Sequence, residues 1–107
     1  MKNKLYVNVA TDGFTVKDAK GTTLESLKCG KSDTLGAIIA SLESCTKFSR
    51  GIIYIFTEDS RIVKWLTGQW RIRSRENIRK LIEIKLLSGL FKTVRYFHVK
   101  EVNKCSS

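Results

Sequence analysis

The chain alternates before it turns periodic. Leu5, Val7 and Val9 interleave with Tyr6, Asn8 and Ala10, a two-residue period that predicts a strand. "TDGF" at 11–14 is a turn signal, because Asp-Gly readily takes the positive φ angles of a tight hairpin. "FTVKD" and "TTLESLKC", joined through "AKG", predict two more strands of an antiparallel meander. The period then changes. Ser32 or Asp33 can cap a helix whose apolar residues Leu35, Ile38, Ile39 and Leu42 fall at i, i+3, i+4 and i+7. Gly51 resets the chain, and "IIYIF" is the short apolar run expected of a strand buried on both faces. Ser60 to about Thr67 reads as a short helix ended by Gly68. Ser74 caps a longer helix carrying Ile78, Leu81, Ile82 and Leu86, with Gly89 in the C′ position. "KTVRYFHVK" is a final strand. The order β-β-β-α-β-α-α-β describes an α/β domain: one mixed sheet with helices packed on its faces.

Composition narrows the setting. The 107 residues suit a single domain over 1–107, and with 42% hydrophobic residues the chain can bury a real core. It has no proline, no low-complexity tract and no internal repeat. No apolar run approaches the roughly 20 residues that a membrane-crossing helix needs. The alternating N-terminus is unlike a secretory leader, so the expected location is the cytoplasm. Cys29, Cys45 and Cys105 lack C-x-x-C spacing and read as reduced thiols; with one histidine there is no ligand set for structural zinc.

Charge changes the picture most. Twenty Lys and Arg stand against ten Asp and Glu, a net charge of +10. Such a surplus on a small domain favours a polyanionic partner, since each neutralised phosphate releases condensed counterions. The surplus is densest in "KWLTGQWRIRSRENIRK", where Lys64, Arg71, Arg73, Arg75, Arg79 and Lys80 are interleaved with Trp65 and Trp70 and only Glu76 opposes them. Arginine makes forked hydrogen bonds to phosphate, and indole can stack on a base or sugar. Trp65, three residues after Ile62, also fits an inward-facing position. Lys28, Lys31, Lys92, Arg95 and Lys100 could extend the cationic surface.

The element order and several local strings resemble the type 1 ribonuclease H family and the wider RNase H-like superfamily. The family's first strand ends in T-D-G, as "VNVATDGF" does here, which places Asp12 at the first metal-binding acid. Its fourth strand runs through T-D-S into a short helix. "FTEDSRIVKWL" matches with one extra residue and places Asp59 at the third acid, with Glu58 adjacent. Two departures stand out. "TLGAIIASLES" keeps the apolar pattern of the family's first helix but has Thr34 where the second acid belongs. "FHVKEVNKCSS" starts like the family's last strand and turn, yet Val102 replaces the histidine and no helix with a fourth acid follows. The resemblance covers about residues 4–103.

What it implies is catalytic Asp12 and Asp59, a Mg²⁺ site built from Asp12, Asp59 and Glu58, and substrate contacts on the basic, tryptophan-containing stretch. A two-metal hydrolase needs several converging carboxylates, and threonine cannot supply the missing charge. The expectation is a nucleic-acid-binding domain for RNA:DNA hybrid or duplex RNA with a degenerate catalytic centre. The alternatives are an active Mg²⁺-dependent ribonuclease H that recruits Glu58 or Asp33, and a protein-interaction module of viral or mobile-element origin within a larger assembly. Both acids also have purely structural uses: Asp12 as a turn residue, Asp59 as a helix N-cap. His98, in an alternating strand, reads as an ordinary side chain.

Overall fold

In the computed structural model, which describes residues 4–28 and 33–100, Thr11 and Asp12 reverse the chain between β1 (Lys4–Ala10) and β2 (Gly13–Asp18). β3 (Thr23–Lys28) completes the meander; α1 (Thr34–Cys45), β4 (Ile52–Thr57), α2 (Ser60–Leu66), α3 (Arg75–Ser88) and β5 (Thr93–His98) follow. This is the expected element order. The sheet order is β3-β2-β1-β4-β5. β1 pairs antiparallel with β2 and parallel with β4, and β4 pairs parallel with β5, so the sheet is mixed.

The first hairpin differs from its sequence signal. Among the described residues no non-glycine residue has positive φ, and the glycines that do are Gly21 and Gly68. The two turn residues are Thr11 and Asp12, so Gly13 is already the first residue of β2, opposite Ala10. Glycine is needed there for space. A Cβ at Gly13 would stand 2.2 Å from the backbone oxygen of Leu27 on β3. Gly13→Ala should therefore force β3 away and lower stability by about 1–3 kcal/mol. Chemical denaturation checks this; an unchanged midpoint would mean that the two strands separate at no cost. Gly21, at φ 85°, makes the left-handed turn between β2 and β3. The Asp18 carboxylate steadies that turn by accepting from the Lys20 and Thr22 amides.

The core lies on one side of the sheet. Leu5, Val7, Val9, Val16, Ile53 and Ile55 are fully buried there, under Leu35, Ala37, Ile38 and Leu42 of α1 and Ile84 of α3. Asp33 rather than Ser32 caps α1, accepting from the Gly36 amide at 3.0 Å, and its own amide donates to Thr11 O at 2.9 Å. Ser32 lies outside the described residues. Gly68, at φ 82°, ends α2 as its spacing predicted. Gly89 caps α3 in right-handed geometry, at φ −65°, so its expected left-handed role is absent. Among the described residues no helix is long and apolar enough to cross a membrane.

Two faces depart from their predicted burial. β4 is buried on one side only: Ile53, Ile55 and Thr57 point to the core, while Ile52, Tyr54 and Phe56 are half-buried on the other. α3 is rotated from the face that its periodicity suggested. Ile84 is buried with Leu81 and Leu87 partly so, whereas Ile78, Ile82 and Leu86 are exposed, Leu86 by 72%. Its partner is α1 rather than the sheet, and Lys80 reaches back to the cap of α1: its ammonium lies 2.7 Å from Asp33 Oδ2 and 3.4 Å from Glu76. The free thiol of Cys45 is buried at the end of α1, where burial and nearby Glu25 push it up to about 12; it is inert at neutral pH. Cys29 and Cys105 lie outside the described residues.

Candidate functional site

β1 and β4 run parallel with Val9 beside Thr57, so the segments that carry Asp12 and Glu58-Asp59 leave the sheet at the same end. α1 starts there too, through the bond from the Asp33 amide to Thr11. The topology thus brings Asp12, Asp33, Glu58 and Asp59 to one end of the sheet. The hairpin, however, carries Asp12 towards β2, on the far side of β1 from β4.

Two of these carboxylates, those of Asp59 and Asp33, are engaged in holding the fold, while Asp12 is an exposed turn residue. Asp59 Oδ1 accepts from the amides of Arg61 at 3.0 Å and Ile62 at 3.4 Å, capping α2, and lies 3.5 Å from Arg61 Nε. Asp33 caps α1 with one oxygen and faces Lys80 with the other. That bond is the main reason the Lys80 pKa is raised. Thr34 is buried at the start of α1. Glu58 is exposed, and its backbone oxygen lies 3.1 Å from His98 Nε2, so His98 ties the ends of β4 and β5 together. Among the described residues no group of three or more His, Cys, Asp or Glu side chains could hold a metal ion. The residue set does not fit a two-metal centre, which needs carboxylates converging from several elements on ions 3.5–4 Å apart.

The basic stretch has a different character. Arg71 and Arg73 lie in the irregular segment between α2 and α3, and Arg75 and Arg79 lie in the first turns of α3; all four are exposed. Trp70 is 48% exposed, with the Lys64 ammonium 4.3 Å from its ring centre. Trp65 packs against the core. The segment is held by α2, since Lys64 O accepts from the amides of Gln69 and Trp70. Lys80 differs from the arginines because its charge is already shared between Asp33 and Glu76.

One feature escaped the sequence reading. Tyr6, Tyr54, Phe56 and Phe97 form a ring cluster on the sheet face opposite the core, with centroids 5.3 Å apart in the Tyr6–Tyr54 and Phe56–Phe97 pairs. The signal was the strand period. Each of these residues alternates with a core position, but the run "IIYIF" hid it. Lys28 and Arg95 share that face, so they do not extend the surface of the α2–α3 segment; Lys31 lies outside the described residues.

Solved structures settle the architecture. The N-terminal RNase H domain of Rv2228c from Mycobacterium tuberculosis superposes with a TM-score of 0.80 at 14% identity, covering 92% of this chain and 88% of that one. The fold is RNase H-like. RNase H1 from the halophilic archaeon Halobacterium salinarum matches at TM-score 0.77 and 18% identity, over 90% of this chain and 85% of the other. LC11-RNase H1, isolated from compost and solved in complex with an RNA/DNA hybrid, matches at 0.71 and 17%, over 90% and 83%. No protein-family model and no curated protein matches the sequence. What the chain shares with these enzymes is the path of its backbone, and the side chains of this RNase H-like domain carry the functional argument.

Proposed function

We propose that the domain binds RNA:DNA hybrid or duplex RNA through the sugar–phosphate backbone and lacks a working two-metal hydrolase centre. The observation that carries this reading is the exposed arginine group, Arg71, Arg73, Arg75 and Arg79, on one short segment with Glu76 as its acid. So many like charges repel one another unless an anionic polymer neutralises them. Guanidinium forks grip phosphate oxygens, and Trp70, partly exposed beside Lys64, adds a surface for a sugar or base edge. A hybrid duplex displays 2′-hydroxyls and a regular backbone, so shape suffices for recognition. The complex of similarly folded LC11-RNase H1 with an RNA/DNA hybrid supports the same class of partner. On the acidic side, Asp59 and Asp33 serve as helix caps, and Thr34 brings no charge.

Two measurements test this. Affinity for a labelled hybrid should fall with salt at a log–log slope of about −3 to −4, from four arginine–phosphate contacts each worth roughly −0.9. A flat response would move the basic segment to a protein partner. Incubation with hybrid in Mg²⁺ or Mn²⁺ should give no cleavage. Cleavage that Asp59→Asn abolishes would make the domain an active ribonuclease H, since asparagine keeps the cap and removes only the charge.

A further inference from the structure

The sheet face opposite the core is a second surface, separate from the α2–α3 segment, and no described helix covers it. Strand register assigns its side chains. Leu5, Val7 and Val9 point to the core, so Lys4, Tyr6 and Asn8 point away. Pairing carries that side across to Thr15 and Lys17 on β2, Ser26 and Lys28 on β3, Tyr54 and Phe56 on β4, and Arg95 and Phe97 on β5. The ring contacts and the 3.2 Å contact between the Thr15 and Ser26 hydroxyls fix the same assignment independently.

The composition of this face is one-sided. Its charged residues are Lys4, Lys17, Lys28 and Arg95, and none of its strand positions holds an acid. The acids of β2 and β3 go elsewhere: Asp18 is buried opposite Leu5, and Glu25 is opposite Val16 and 3.6 Å from Lys47. The apolar part is made of four aromatic rings on β1, β4 and β5, with Ile52 beside Lys4 at the start of β4. Phe97 is 39% exposed on β5, the last strand of the sheet on that side among the described residues. Asn8, between Phe56 and Thr15, stands between the rings and the strands that carry Lys17 and Lys28, and brings both a donor and an acceptor.

We propose that this face binds single-stranded nucleic acid, with bases against the ring cluster and phosphates along the lysines. Charge complementarity selects the occupant. A second copy placed symmetrically would oppose cations to cations, because a two-fold interface sets a patch against itself. A neutral apolar helix would cover the rings and leave the lysines unneutralised. A single strand offers both π-faces and anions. These match the rings and the cations that flank them, Lys17 and Lys28 on β2 and β3 and Lys4 and Arg95 on the ring-bearing strands. From β3 to β5 is four strand spacings of about 4.8 Å, ~19 Å in all, and four-stranded sheets with exposed aromatics take two or three bases.

The test is fluorescence anisotropy with labelled 12-nucleotide oligouridylate and oligothymidylate, run beside an RNA:DNA hybrid. Lys17→Glu with Arg95→Glu, both at the surface, should weaken single-strand binding at least tenfold, and Phe97→Ala at least fivefold. Both should leave hybrid affinity within twofold. Arg71→Glu with Arg73→Glu should show the opposite pattern, which keeps failure of this surface distinct from failure of the hybrid reading. Far-ultraviolet circular dichroism confirms that each variant is folded. Single-strand affinity unchanged in both face variants overturns the proposal. So does a dimer in sedimentation that Phe97→Ala returns to monomer, which gives the face to a second copy. An acidic amphipathic peptide that binds wild type but not the Lys17→Glu/Arg95→Glu variant, where oligouridylate fails to bind, gives it to a protein.

Discussion

Arg71→Glu combined with Arg73→Glu should lower affinity for an RNA:DNA hybrid about 100-fold at moderate salt while leaving the melting temperature nearly unchanged. The size follows from the local structure. Both guanidiniums are exposed on a segment without regular structure, and among the described residues neither takes part in an ion pair shown for the fold. Their loss therefore costs the folded state little, as surface substitutions usually fall within about 0.5 kcal/mol. For the complex, each reversal removes a charge-assisted contact of about 1.5 kcal/mol and adds repulsion. Two contacts amount to ~3 kcal/mol, or about 100-fold. The salt slope should shrink by about two as well, because each lost phosphate contact removes close to one unit. Lys80→Glu is a poor substitute for this experiment: it would break the bond to Asp33 and loosen the α1–α3 contact, mixing stability with binding. Unchanged hybrid affinity in a folded double variant would place the duplex surface elsewhere.

Much of this architecture was legible because the local signals agreed. Alternation located β1, Asp59 and Ser74 were visible as caps, and Gly68 ended α2 where its left-handed angle was needed. The basic segment was legible as charge, since exposure is the default for arginine. The acids were ambiguous for a physical reason. A strand-to-helix junction wants a short carboxylate as N-cap and a metal centre wants one as ligand, so Asp59 satisfies either demand with the same letter. Spacing could not show that its oxygen is committed to the amides of Arg61 and Ile62. β4 misled because a continuous apolar run reads as burial on both sides. Here Tyr54 and Phe56 find their neighbours across the strands, in Tyr6 and Phe97. Gly13 was read as a turn residue, and its reason lay on the neighbouring strand, in the backbone of Leu27.

α3 is the sharpest case, and it yields a paired prediction. The helix carries apolar residues at 78, 81, 82, 84, 86 and 87, which form two overlapping stripes. Periodicity alone favours the stripe through Ile78, Leu81, Ile82 and Leu86; packing against α1 kept Leu81 and took Ile84 and Leu87 in place of the other three. Ile84 is fully buried and Ile82 is 53% exposed. Ile84→Ala should therefore destabilise the domain by about 3 kcal/mol, from lost transfer energy plus the cavity left under α1. For a chain of this length that corresponds to roughly 10–20 °C in melting temperature. Ile82→Ala should stay within about 0.5 kcal/mol of wild type, since it removes a methyl-rich side chain from water rather than from the core. Both substitutions gain the same small helix propensity, so their difference isolates burial. Urea denaturation of the two variants reads that difference directly. Equal losses, or a larger loss for Ile82→Ala, would mean that α3 presents the face its periodicity suggests. The Lys80–Asp33 bond would then have to break, because it pins the helix in the rotation seen here.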